Sequence, residues 1–236
     1  MKLDNVSRSF GDLKVLGDFS CTFYQGEFVC LCGPSGIGKT TILQLIAGLQ
    51  QPDAGRVECA SHNIGYVFQE PRLIPWCSVV ENIEIGLYHT MPEAKAERRR
   101  IAEEMARRVG LDGFQEYFPA QLSGGMKQRV SLARAFAVEP DILLLDEPFS
   151  SLNMELREAM CCYLQQLLAL KPCTTVMVTH TLEDAVKLAD RIIYLKDRPC
   201  RIALEYDMDK PPAGRDMQYT YQQMQAISEQ LNLNQG

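Results

Sequence analysis

The spacing of hydrophobic positions changes along the chain, and each change predicts a different element. Leu3, Val6 and Phe10, then Val15, Leu16, Phe19, Cys21 and Phe23, alternate loosely between turn residues, which predicts short antiparallel strands at the start. Residues 27–32, EFVCLC, form a compact apolar run of the kind found in a buried strand. A helix follows from about Lys39, and Gly48 is placed to end it as a C-terminal glycine. QQPDAG at 50–55 reads as a turn, and residues 63–68 as another strand.

From Ser78 to Ala120 the pattern becomes helical and charged. Pro92 is placed to open a helix on which Ile101, Met105 and Val109 recur at i, i+4 and i+8, with the run EAKAERRR as its solvated face. A further helix begins in LSGGMKQRV, residues 122–130, and runs to about Val138. Strand 142–146, a helix around Met154–Leu170, strand 175–179, a helix over 183–189 and strand 192–195 then alternate, and β/α alternation implies a parallel sheet. The glutamine-rich tail from Met217 reads as a terminal helix. The expected fold class is α/β: a parallel-sheet core, an N-terminal antiparallel β region and an inserted helical segment.

Composition constrains the setting more than the fold. A length of 236 residues suits one large domain, or a domain with an inserted subdomain. A net charge of -6 argues against nucleic acid as a general partner, which calls for a basic excess. Apolar runs such as 142–145 fall far short of the about 20 residues of a bilayer span, and MKLDNVSRSF lacks the apolar core of a signal peptide, so a cytoplasmic chain is expected. The nine cysteines show no repeated metal-ligand spacing: Cys59 and His62 make one C-x-x-H with no second half. Reduced, structural thiols are expected, with Cys30 and Cys32 inside the buried strand.

The chemistry begins at GPSGIGKTT, Gly33–Thr41, which satisfies G-x-x-x-x-G-K-[ST] between an expected strand and an expected helix. Gly33, Gly36 and Gly38 let the loop formed with Pro34 and Ser35 curl until successive N–H groups face phosphate oxygens. Lys39 reaches the β- and γ-phosphates of a nucleotide, Thr40 offers a hydroxyl to Mg²⁺, and Thr41 completes the motif. ILLLDE at 142–147 is the matching half: the strand carries Asp146 to the sheet's C-terminal edge, where it can hold the Mg²⁺ shell, and Glu147 is placed to polarise a water. Alone, an apolar strand ending in Asp-Glu is ordinary structure; the phosphate loop gives it a chemical reading. LSGGMKQRV has the form of a second anion site at a helix N-terminus.

LSGGMKQR, just ahead of DEP, resembles the signature of ATP-binding-cassette (ABC) ATPases, and the remaining motifs fall in that family's order across almost the whole chain. The resemblance implies a single cassette over residues 1–236, with 78–137 as a helical subdomain carrying the signature. It implies that Gln69 in YVFQEPRLIPW is the loop glutamine that reaches Mg²⁺ and the attacking water and couples to a membrane subunit. It assigns His180 in VMVTH to the γ-phosphate, and Phe10 in SRSFG to stacking on adenine. Ser123, Gly124 and Gly125 would face the γ-phosphate held by a second copy of the chain. The segment after DEPF departs from the family's S-A-L-D: here it reads Ser150, Ser151, Leu152, Asn153, which loses a carboxylate.

RLIPW, residues 72–76, is similar to the ATPase subunits of nitrate, sulfonate and taurine importers and of their relatives for thiamine-pyrimidine precursors. Trp76, the sole tryptophan, is either a core anchor or part of a surface that receives the permease. The implied protein hydrolyses ATP with Mg²⁺ as a dimer at the cytoplasmic face of the membrane. It would drive separate permease subunits served by an extracytoplasmic solute-binding protein. A non-transport ABC ATPase and an exporter motor are the alternatives; the short insert, single cassette and negative charge count against the first, RLIPW against the second.

Overall fold

A computed structural model describes residues 1–59, 61–150 and 152–233, so Ser151 of the SSLN segment lies outside the described residues. The chain divides into two compact units, Met1–Ala60 with Thr174–Gly236, and Ser61–Cys173.

The first unit opens with β1 (Lys2–Phe10) and β2 (Leu13–Thr22), paired antiparallel from Lys2↔Thr22 to Phe10↔Leu13. They are two long strands rather than several short ones. Irregular register absorbs the loose alternation, and Asn5 and Asp18 take positive φ of 50 and 51 where the ladder shifts. β3 (Phe28–Cys32) is buried at every position, and Cys30 and Cys32 lie inside it as the apolar run implies. The loop after it leads into α1 (Lys39–Ile46), whose Ile42, Leu43, Leu45 and Ile46 are buried; the helix ends before Gly48, at φ 69. β4 (Ala54–Glu58) then pairs antiparallel with β1, adding a strand where the sequence suggested only a turn. Every β4 residue but Val57 is exposed, so the stretch carries no apolar signal.

The second unit begins with β5 (Ile64–Val67). α2 (Val79–Glu84) follows, started by a reciprocal cap: the Ser78 hydroxyl accepts from Glu81 N and the Glu81 carboxylate accepts from Ser78 N. α3 (Lys95–Arg108) starts three residues after Pro92, which sits in the preceding turn and does not open the helix. Its buried positions are Arg98, Ala102 and Ala106, while Ile101 and Met105 are half-buried and line a cavity of about 440 Å³ with Leu87 and Val138. Arg98 therefore leaves the solvated face expected for EAKAERRR. It is 3% exposed, donates to the carbonyls of Met91 and Pro92, and lies 4.2 Å from the Tyr88 ring centroid. Arg99 and Arg100 do face water, paired with Glu103 and Glu97. α4 (Gly124–Ala137), β6 (Ile142–Asp146) and α5 (Met154–Leu170) complete this unit, with β6 parallel to β5 from Ile64↔Ile142 to Val67↔Leu145.

The chain returns to the first unit with β7 (Thr174–Thr179), α6 (Leu182–Leu188), β8 (Arg191–Lys196), β9 (Arg201–Asp207) and α7 (Met217–Leu233). The strands there run in the order β7-β3-β8-β9, parallel except for the β8–β9 hairpin. Arg191 ties this end of the unit together: its guanidinium donates to Glu27 and Glu205, each at 2.7 Å, and to the Thr22 carbonyl at 2.7 Å. The Glu27 carboxylate holds that guanidinium charged by raising its pKa, against the opposing effect of burial.

Candidate functional site

In the first unit, parallel register decides which loops are neighbours. Cys32 of β3 pairs with Thr179 of β7, so the loop beginning at Gly33 and the exposed His180 leave the same edge from adjacent strands. That edge is the carboxyl end of parallel strands, where α/β proteins bind ligands. The loop is held in conformations that only glycine adopts cheaply: Gly38 has φ 115, and a Cβ on it would lie 2.6 Å from Val15 Cγ1. Lys39, 4% exposed, folds its ammonium back to donate to the Gly33 and Pro34 carbonyls, both at 2.8 Å. Pro34, Ser35 and Gly36 are exposed, Thr40 is half-buried, and Thr41 is buried in the first turn of α1. Phe10 closes β1 and is 45% exposed, with the Arg8 guanidinium 5.0 Å from its ring centroid. Asp53 anchors that corner, accepting from Arg8 at 2.6 Å and from Ser9 N at 2.7 Å.

The second unit repeats the logic. Val67 of β5 pairs with Leu145 of β6, so the bend carrying the exposed Gln69 and the Asp146-Glu147 pair leave one edge together. Asp146 is 5% exposed, and Glu147 takes a left-handed φ of 44, an uncommon backbone for a residue other than glycine. The turn is closed by Ser150, whose N–H and hydroxyl both donate to the Glu147 carbonyl, at 3.2 and 3.1 Å.

Ser123 is the N-cap of α4: its hydroxyl accepts from Met126 N at 3.3 Å and the residue is exposed, as is Gly124. Gly125 is buried against α5, where a Cβ would meet Leu156 Cδ1 at 3.1 Å. Asn153 caps α5 through Oδ1, which accepts from Leu156 N at 3.0 Å. An asparagine caps as well as an aspartate, so the departure from the S-A-L-D pattern keeps the local structural function of that position.

The loop containing RLIPW is pinned from two sides. Asn82, fully buried, accepts from Ile74 N at 2.8 Å and donates to the carbonyls of Ile74, Cys77 and Ser78. Arg134 donates to the Pro71 and Arg72 carbonyls at 2.8 and 3.1 Å. On this fixed loop Trp76 is 77% exposed, which removes the core-anchor alternative. Sequence reading missed Asn82, Arg134 and Tyr66, whose hydroxyl reaches Asp146. A polar residue inside the apolar stripe VVENIE was the available signal for Asn82.

Comparison with known proteins places these motifs in context. The ABC transporter family matches residues 16–150. The chain is 42% identical over 203 residues to the aliphatic sulfonates import ATP-binding protein SsuB 1 of Rhodococcus jostii, covering 84% of this chain and 80% of that protein. It is 41% identical over 210 residues to the sulfate/thiosulfate import ATP-binding protein CysA of Photorhabdus laumondii; that match covers 83% of this chain but spans only 58% of CysA. Among solved structures, the dimeric ATP-binding cassette MJ0796 in a post-hydrolysis state with ADP and Pi superposes with a TM-score of 0.79 at 34% identity, covering 89% of this chain and 99% of that one.

Proposed function

The chain belongs to the ABC transporter family, and on that premise we propose that it is the ATP-hydrolysing subunit of an importer for a small solute. The solute is of the nitrate, sulfonate or taurine type, or a thiamine-pyrimidine precursor. The parallel register Cys32↔Thr179 carries the reading, because it sets a phosphate loop and an exposed histidine side by side at a ligand-binding edge. Residues 1–236 act as one cassette, with 78–137 as its helical subdomain.

Loop N–H groups and Lys39 hold the β- and γ-phosphates, with Lys39 exchanging the Gly33 and Pro34 carbonyls for phosphate oxygens. Phe10 stacks on the base, and His180 contacts the γ-phosphate. Glu147 takes the proton of the attacking water, which Gln69 helps to place. Thr40, Asp146 and Gln69 are the residues that would hold Mg²⁺, each able to offer a side-chain oxygen of the kind that ion prefers, and the ion would supply positive charge against the phosphates. Ser123, Gly124 and Gly125 of a second copy complete each site, so turnover requires the dimer.

No described helix is long and apolar enough to cross a membrane. The chain works peripherally, at the cytoplasmic face, on separate permease subunits, with a solute-binding protein on the far side. Trp76 and its pinned loop are the proposed contact with the permease.

The test is Glu147→Gln in the full-length chain. ATP should still bind and should trap a dimer visible by size-exclusion chromatography, while hydrolysis falls by about a hundredfold or more. Hydrolysis near the wild-type rate would remove Glu147 from the role of general base. Co-reconstitution with its permease in liposomes, followed by solute-stimulated ATPase measurements across the solute classes above, identifies the cargo.

A further inference from the structure

Turning a loop so that its N–H groups converge points carbonyls away from the ligand, and each of those is satisfied by water or by a protein donor. Lys39 takes two of them, those of Gly33 and Pro34. The Gly36 carbonyl is taken from far away in sequence: the Nη2 of Arg198 donates to it across 162 residues. A Cβ built on Gly36 would lie 2.8 Å from that Nη2, so the guanidinium lies directly against the loop, and Gly36 itself has φ 73.

Arg198 is delivered by a fixed turn. It sits in the β8–β9 connection after Asp197, at φ 63, and the chain is fastened to β2 two residues later, where Cys200 N donates to Val15 O at 2.8 Å. The same part of β2 supports the loop at another of its glycines, through Val15 against Gly38. β2 and the β8–β9 turn therefore both bear on the phosphate loop.

We propose that Arg198 is a positioning residue for the nucleotide phosphates: it fixes the Gly36 peptide so that the loop's N–H groups stay converged. The proposal rests on reading Gly33–Thr41 as the phosphate cradle. The two cations have different duties. Lys39 serves either the loop's own carbonyls or a phosphate, whereas Arg198 holds the loop in both states. A loop already in its binding conformation loses less freedom when the ligand arrives. Arg198 is exposed, so water competes for the carbonyl and the contribution is moderate.

The experiment measures ADP and non-hydrolysable ATP-analogue binding by calorimetry on the full-length chain, with Lys39→Ala as reference. Arg198→Ala is expected to weaken both nucleotides by about threefold to tenfold. KM for ATP should rise by the same factor while kcat falls by less. Arg198→Lys keeps a cation for the Gly36 carbonyl and should recover most of the loss. Wild-type affinity in Arg198→Ala, beside lost affinity in Lys39→Ala, overturns the proposal. Wild-type affinity in both variants overturns the cradle reading itself. A role confined to folding would lower the Tm of the nucleotide-free chain and leave the Kd of the folded fraction unchanged, which also overturns it. Should Arg198→Ala unfold, Arg198→Gln and Arg198→Lys decide: graded Kd values support the proposal, and equal wild-type values overturn it.

Discussion

The Tyr66 hydroxyl donates to Oδ2 of Asp146 at 3.4 Å. Burial first, and then the Asp146 charge, push the Tyr66 pKa up, so the phenol remains a donor at every physiological pH. The same ring stacks on Phe68 with centroids 4.2 Å apart, and Arg72 lies 4.2 Å over Phe68, so a continuous stack joins Asp146 to the RLIPW loop. Tyr66→Phe keeps the stack and removes only the hydroxyl. Stability should change by about 1 kcal/mol or less, while the Mg²⁺ concentration for half-maximal ATPase rises by about fivefold. An unaltered Mg²⁺ dependence would confine the hydroxyl to a packing role.

Gly124 is not required by the fold. Its φ is not left-handed, and a Cβ on it meets nothing within 4 Å. Alanine should therefore be neutral or stabilising by about 0.5–1 kcal/mol at this helix position. If the space above Gly124 is kept for the second copy's nucleotide, Gly124→Ala will hold its Tm yet lose ATP-dependent dimerisation and turnover. Gly125→Ala is the contrast, because its Cβ would press on Leu156 at 3.1 Å. Ser123→Arg should likewise abolish turnover and spare nucleotide binding to the monomer; full activity would return the motif to an ordinary helix start.

Asn153 separates capping from charge. Asn153→Ala should cost about 1 kcal/mol through the lost cap, read as a lower denaturation midpoint, whereas Asn153→Asp should leave stability within a few tenths, about 0.3 kcal/mol. Any change in ATPase cooperativity that Asn153→Asp produces then belongs to the carboxylate alone.

Burial pushes the thiols of Cys21, Cys32 and Cys200 up to about 12. A folded pKa raised above the unfolded one gives stability that is complete below the ordinary thiol range and is lost as pH rises. Denaturation midpoints should thus fall steadily from about pH 9 toward 12. At pH 8 iodoacetamide should modify the exposed Cys162 and spare these three until the chain unfolds, as peptide mass mapping would show. Early labelling of Cys32 would contradict its burial beneath the phosphate loop.

The strongly patterned elements were legible in the sequence because burial on one face or both dictates their spacing. β3, β6, β7, α4 and α5 lie within one or two residues of where the apolar runs place them. β4 and β9 escaped notice for a physical reason: β4 is exposed at all but Val57 and β9 is at most half-buried, so hydrogen bonding to a neighbour defines them rather than full side-chain burial. Arg98 escaped it because a charged run looks alike whether its members meet water or carbonyls. Asp146, Glu147, Gln69 and His180 are placed by strand ends and hence by pattern. Arg198 and Tyr66 act through contacts between distant segments, which no local spacing encodes.

Trp76 stands on a loop fastened by Asn82 and Arg134, and the chain has no other indole. Its emission therefore reports one patch of surface and nothing of the interior. Solvent relaxation should keep the apo spectrum red, and insensitive to a core mutation that leaves the loop intact. Any blue shift on adding a membrane partner would be a local reading of water leaving that patch, obtained without attaching a dye.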